Sequence, residues 1–131
     1  MILINKNSTN NVILTLAEKT TLTNVVYLFE VINDASSDVK CFIADDISPN
    51  KIRFNEFNLI ENTTEDLLNG TFELELAGFY TYNVYEQTST TNLDPTLATN
   101  LIETGKLNVP ETTSALPKYN GNQTTTIVYN G

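Results

Sequence analysis

The chain has 131 residues, a length typical of one domain that buries about two-thirds of its unfolded surface without a metal or a disulfide. Its formal net charge is −9 and it contains no histidine. This excludes histidine-based acid–base catalysis and argues against binding to nucleic acids or to anionic membranes. The hydrophobic content of 40% is that of a globular protein.

The N-terminus does not have the pattern of a targeting segment, because its short apolar start is followed at once by polar residues. No later apolar run approaches the length of a transmembrane helix. We therefore expect a product without a signal peptide that is made in a cytoplasm.

Alternating apolar residues predict four strands in the first half of the chain, at residues 12–17, 25–32, 39–44 and 52–60. The segment 25–32 is apolar on both faces apart from Glu30, which indicates a central strand or one whose second face is covered. In 52–60 the apolar phase changes between Phe54 and Phe57, which predicts a bulge or a kink between two short strands.

Three further strands are predicted in the second half, at residues 71–76, 79–87 and 101–109. The alternation in 71–76 places apolar side chains inward and Glu73 and Glu75 outward. Gly105 suggests a bulge in the last strand. Between the last two strands, Asp94-Pro95 is typical of an N-cap followed by proline at the first helical position, so a single helical turn is expected there.

About seven short strands joined by polar turns, with no long helix and no repeat, predict an all-β sandwich over residues 1–109. Residues 110–131 lack periodicity before Ile127, Val128 and Tyr129, and they predict an extended C-terminal arm. The arm is either a frayed terminus or a segment that pairs with a sheet edge or a groove, in its own domain or in a neighbour. Its segment TTTIVY is β-branched, aromatic and uncharged, which is the composition of an added strand.

Carboxylates are the main remaining candidates for chemistry, because the sequence has no Gly-rich phosphate loop and no Cys/His zinc cluster. Glu73 and Glu75 could act in glycoside hydrolysis only if their carboxyl groups flanked a cleft. We favour the alternative that both lie on a solvated outer face. Four aspartates could either form a calcium site or lie in ordinary acidic loops: Asp34, Asp38, Asp45 and Asp46. Acidic loops are favoured, because the sequence lacks EF-hand spacing. We therefore predict no enzyme activity, no catalytic or metal-binding residue and no cofactor.

Two single-copy residues have modest expected roles. Cys41 cannot form an intrachain disulfide, and its apolar run VKCFIA favours a buried small hydrophobe over a reactive thiol. Arg53 is the only arginine, and we expect a local ion pair with Glu56 or Glu61, with a protein-interface contact as the alternative.

The segment GFYTY resembles the tyrosine corner of immunoglobulin-like sandwiches, with Gly78 before the corner residue Tyr80, and Tyr82 where antibody domains have their second cysteine. The resemblance implies that the Tyr80 hydroxyl bonds to backbone a few residues upstream. It also implies that the segments 12–17, 25–32, 39–44 and 52–60 are the first to fourth strands of the sandwich. The chain has no tryptophan, so antigen-type binding is not implied.

In its composition and in segments such as IRFNEFNLIE, AGFYTYNVYEQ and LIETGKLNV, the chain resembles small virion proteins of tailed phages that infect Bacteroidetes, including crAss-like phages. This resemblance implies a capsid auxiliary or decoration protein, a head-fibre base or a tail component, made in the host cytoplasm and located in the virion. Its partners would be the major capsid protein or head-fibre and tail proteins, in a homo-oligomer or symmetric array. The interface candidates are Phe79, Tyr85, Arg53, Ile127, Val128 and Tyr129. The alternative is a glycan- or host-surface-binding module that uses Phe79 and Tyr85 for stacking. Its site would lie on the loops at one end of the sandwich, drawn from residues 33–38, 62–69 or 89–96.

Overall fold

The computed structural model describes residues 1–111, which form eight strands and one short 3-10 turn. The strands are β1 (Ile2–Leu3), β2 (Thr9–Leu14), β3 (Val26–Asn33), β4 (Val39–Ala44), β5 (Asn55–Glu61), β6 (Thr71–Phe72), β7 (Gly78–Gln87) and β8 (Asn100–Val109). The 3-10 turn, Pro95–Leu97, is capped by Asp94, whose carboxylate accepts a 2.9 Å hydrogen bond from the Thr96 amide. The all-β prediction and the predicted turn at Asp94-Pro95 are therefore confirmed.

The strands form two sheets. One has five strands in the order β1-β8-β7-β3-β4, and the other has three in the order β2-β5-β6. All pairs are antiparallel except β1 with β8 and β5 with β6, which are parallel. Because β1 precedes β2, the strands predicted as first to fourth are the second to fifth of the domain.

Aromatic side chains join the two sheets. Phe29 of β3 contacts Phe57 of β5 edge to face, with ring centroids 5.1 Å apart. Phe42 of β4 stacks on Phe72 of β6, with centroids 4.0 Å apart. All four rings are buried, so the two sheets pack face to face around one hydrophobic core.

The outer face of the five-stranded sheet is also partly covered. Leu28 and its cross-strand partner Ile43 lie opposite in phase to the core residues, yet both are buried. β3 also lies between β7 and β4 in the sheet. Both predicted explanations of the doubly apolar pattern of 25–32, a central strand and a covered second face, therefore hold.

The strand predicted at 71–76 is wrong beyond Phe72. The amides of Glu73 and Leu74 donate to the carboxylates of Glu65 and Glu61, at 3.0 and 2.9 Å, instead of to a neighbouring strand. Side-chain acceptors thus end the ladder, and Leu76, expected inward, is 45% exposed.

Two predicted irregularities lie elsewhere. The apolar phase change at 52–60 is no bulge, because residues 51–53 form a turn and the regular strand begins only at Asn55. In β8 the register shifts where Val84 pairs with Glu103 and Tyr85 with Leu101, so the extra residue is at position 102 and not at Gly105.

Candidate functional site

The tyrosine corner predicted from GFYTY has the expected geometry. The Tyr80 hydroxyl donates a 2.6 Å hydrogen bond to the Leu76 carbonyl, four residues upstream. Gly78 between them has φ +117°, a conformation that other residues rarely adopt. This bond holds the segment after β6 against the start of β7.

Tyr82 is buried in the core, on the same face of β7 as Tyr80. A Cβ placed on its cross-strand partner Gly105 would lie 2.5 Å from the Tyr82 ring, so only glycine leaves room for the aromatic side chain. The Tyr82 hydroxyl donates to Glu103 at 3.2 Å. Burial, followed by the Glu103 charge, raises the pKa of Tyr82 to about 12. Gly105 is therefore a packing requirement of this tyrosine.

Apolar side chains are exposed around the corner. We call this end of the domain, where β3 and β8 end and β7 begins, the corner end. Phe79 is 57% exposed there. Val39 and Leu76 line a cleft of about 330 Å³ together with Tyr80, and charged side chains of both signs also line this cleft. The corner end thus combines a fixed backbone with exposed apolar surface, as protein contact sites do.

Tyr85 offers much less surface than expected. It is half-buried on the outer face of β7, and its hydroxyl donates to Glu30 at 3.2 Å. Burial and the Glu30 charge raise the pKa of this hydroxyl. Phe79 and Tyr85 are six residues apart on one strand, or about 20 Å, so the two rings cannot stack on the same sugar.

Two of the three loops considered for a glycan site lie at opposite ends of the domain. The loop 33–38 follows β3 at the corner end, where Asn33 pairs with Tyr80. The loop 88–99 follows β7 at the opposite end, where Gln87 pairs with Val26. Because β7 runs the length of the sheet between them, these loops do not form a shared surface.

Arg53 does not form the predicted ion pair. The ion pairs within residues 1–111 are Lys19–Glu103, Lys40–Glu65 and Lys106–Asp34. Arg53 is exposed in the turn before β5, at the end opposite the corner, and Glu61 is buried at the other end of the same strand. The prediction of a local ion pair is therefore wrong, and the side chain is available at the surface.

The four aspartates compared as a calcium site are not brought together. Asp34 and Asp38 precede β4 and Asp45 and Asp46 follow it, so a six-residue strand of about 20 Å separates the two pairs. Asp46 accepts hydrogen bonds from the Ser48 and Glu56 amides, both at 3.0 Å. The calcium hypothesis is wrong for these residues, and residues 1–111 contain no other group of three potential metal ligands.

Two buried glutamates were missed by the sequence reasoning. Glu86 accepts hydrogen bonds of 2.8 Å from the Thr21 amide, the Thr21 hydroxyl and the Asn100 side chain. Burial raises its pKa, but these hydrogen bonds outweigh burial, so the pKa lies below the usual value. Glu61 likewise accepts from the Asn7 and Leu74 amides. Both lie at inward positions of apolar alternation, which is the signal that identifies them.

Cys41 is half-buried and faces the covered outer side of the five-stranded sheet. Burial, followed by the charges of Glu30 and Asp94, raises the pKa of the thiol to about 11. A thiol with this pKa is almost fully protonated at neutral pH, which is consistent with a packing residue and not a nucleophile.

The remaining candidates, Ile127, Val128 and Tyr129, lie outside the described residues. Comparison with protein-family models, curated proteins and solved structures found no match to the chain. In residues 1–111 no helix has the length and apolarity needed to cross a membrane.

Proposed function

We propose that the chain is a non-enzymatic structural virion protein, a capsid auxiliary or decoration protein that docks on the outside of a phage particle in many copies. The observation that carries this proposal is the corner end, where Val39, Leu76 and Phe79 expose apolar surface. Exposed apolar side chains beside a rigid backbone favour protein contacts. The resemblance to small phage virion proteins supplies the class of partner, which is the major capsid protein or a head-fibre or tail protein.

Charge supports the outer surface of the particle. With a net charge of −9, the chain is repelled by the DNA inside a capsid and is not repelled by a neutral or basic outer surface. The same charge disfavours uncontrolled self-association, so contacts between copies would be set by the shell that carries them.

The topology supports an immunoglobulin-like sandwich as the scaffold. The adjacent strands β3, β7 and β8 match the third, sixth and seventh strands of that fold, which share one sheet. The pair β2 and β5 in the second sheet matches its second and fifth strands. The Tyr80 hydrogen bond matches its tyrosine corner. The position of β3 in the sequence suggested the second strand of the fold, whereas this assignment makes it the third.

Quantitative mass spectrometry of purified particles tests the location. Particles of the phage that encodes the chain are purified by density gradient, and its peptides are compared in amount with those of the major capsid protein. We expect a fixed stoichiometric ratio in the particles. Peptides found in the infected-cell lysate but absent from the particles would contradict the proposal.

A pair of variants tests the docking surface. Phe79→Asp introduces a charge at the corner end, and Leu97→Asp does so at an exposed apolar position at the opposite end. Purified protein is added to particles that lack it, and bound protein is measured after sedimentation. We expect at least about tenfold weaker binding for Phe79→Asp only, because burying an unpaired charge is costly. Equal binding of both variants would exclude the corner end.

A further inference from the structure

The outer edge of β2 has unpaired backbone groups along its whole length. The Ser8 carbonyl accepts a 3.0 Å hydrogen bond from the Glu61 amide, and β2 continues in that register along β5. By the alternation of an antiparallel pair, Thr9, Asn11 and Ile13 then direct their N–H and C=O groups away from β5. Within residues 1–111 no partner bonds these groups. This edge is therefore a template for another strand.

The other sheet edges are short, covered or charged. The amide of Ile43 on β4 donates to the Leu67 carbonyl at 2.7 Å, and β4 also carries Lys40. β6 has only two residues, and β8 carries Lys106 and is partly covered by β1. The sequence of β2, TNNVIL, has no charge, proline or bulge, and within residues 1–111 no segment covers its edge.

A groove of about 490 Å³ runs between β1 and the β2 edge. Leu3 and Ile13 border it and are 52% and 61% exposed, and the side chain of Tyr82 contributes to its floor. The side chains that line the groove are uncharged and both polar and apolar, so a segment with uncharged polar and apolar side chains suits it.

We propose that residues 124–129 of the same chain, TTTIVY, add a strand to the free edge of β2. The segment has six residues, as many as β2. From Tyr119 to Gly131 the sequence has no Asp, Glu, Lys or Arg, so pairing buries no charge. Its β-branched and aromatic residues suit a strand. The inference is independent of the proposed virion function.

The chain can reach this edge. Ile4 donates to the Asn108 carbonyl at 3.0 Å shortly before β2 begins, so β2 starts at the end of the domain where β8 stops. The fourteen residues 110–123 lie between β8 and the segment and span up to about 46 Å when extended. A tether of this length gives an effective concentration near millimolar, so the chain's own segment outcompetes that of another copy at micromolar protein concentration.

Occupation of this edge has a consequence for the surface. Pairing of the unprotected β2 edge prevents edge-to-edge association between copies. The apolar side chains at the two ends of the domain, among them Phe79 at the corner end and Ile52 and Leu97 at the opposite end, then remain exposed. Ile127, Val128 and Tyr129 thereby act within the domain and not as a contact with a partner.

Amide hydrogen exchange of Ile13 in the full chain tests the proposal. Asn11→Pro removes an outward N–H without removing a bond to β5, and Asn11→Ala is its matched control. The double variant Ile127→Asp, Val128→Asp changes only the segment. We expect Ile13 to exchange at least about tenfold faster in Asn11→Pro and in the double variant than in the wild type and in Asn11→Ala.

The Val12 amide, which faces β5, monitors folding and should remain protected in every variant. Size-exclusion chromatography with light scattering should show a monomer. Equal exchange of Ile13 in the wild type and the double variant would overturn the proposal. Protection that appears only as dimers form would assign the strand to a second copy, and would overturn pairing within one chain.

Discussion

The two long sides of the domain differ in how their strand edges end. On the side of β4 and β6, which we call the sealed side, the loop 62–70 fills the gap between the sheets. Ile43 donates to Leu67, Ile60 donates to Gly70, and Lys40 pairs with Glu65. On the side of β1 and β2, the open side, no residue in the range 1–111 fills this role.

The sealed side is also the more closely packed of the two. Gly70 has φ +73°, and a Cβ there would lie 3.1 Å from the Asn58 carbonyl oxygen. Phe42 and Phe72 stack directly behind the loop, whereas Leu3 and Ile13 on the open side are exposed. One edge is thus completed by the loop between β5 and β6, whereas no segment within residues 1–111 completes the other.

The largest effect is expected from Phe72→Ala on the sealed side. Phe72 is fully buried and stacks on Phe42 between the two sheets, so its removal leaves a cavity. We expect a loss of about 3–5 kcal/mol in the free energy of unfolding, measured by urea denaturation. The control is Phe79→Ala, which removes the same side chain from a 57% exposed position and should cost less than about 1 kcal/mol. Similar losses for both variants would contradict the packing of Phe72 between the two sheets.

A smaller effect is expected at the tyrosine corner, which fixes the chain where it leaves the sealed side. Tyr80→Phe removes only the hydroxyl that donates to the Leu76 carbonyl. We expect a loss of about 1 kcal/mol in the free energy of unfolding, since one hydrogen bond is removed and the ring stays buried. Tyr85→Phe is the matched control, because it removes a hydroxyl that bonds to Glu30 on the outer face of the same strand, away from the corner. An unchanged stability of Tyr80→Phe would contradict a structural role for the corner.

The sequence predicted regular, locally encoded features well. Period-two alternation identified most strands, because a strand with one buried face shows its burial in its sequence. The motif around Gly78 and Tyr80 predicted a local hydrogen bond, since both of its ends lie within five residues. The capped turn at Asp94 was predictable for the same reason.

Features that depend on distant partners could not be predicted. β6 ends at Phe72 because the carboxylates of Glu65 and Glu61 accept hydrogen bonds from the next two amides. The alternation within 71–76 does not indicate these acceptors. Alternation gives the inward position of Glu86 but not its hydrogen-bond partners Thr21 and Asn100, which are 65 and 14 residues away. Separation of the aspartates by β4 likewise depends on strand position and not on spacing.

The smallest effect is expected on the open side, from Ile13→Thr. Ile13 is 61% exposed on the outer face of β2, and the adjacent Val12 is 7% exposed on the inner face. We expect Ile13→Thr to change the free energy of unfolding by less than about 0.5 kcal/mol. Val12→Thr should cost about 1–3 kcal/mol, because it buries a hydroxyl in the core. A shift of one residue in a strand exchanges its two faces. Equal costs at both positions would therefore contradict the register of β2 on β5. They would also contradict the assignment of the outward backbone groups of Thr9, Asn11 and Ile13 to the free edge.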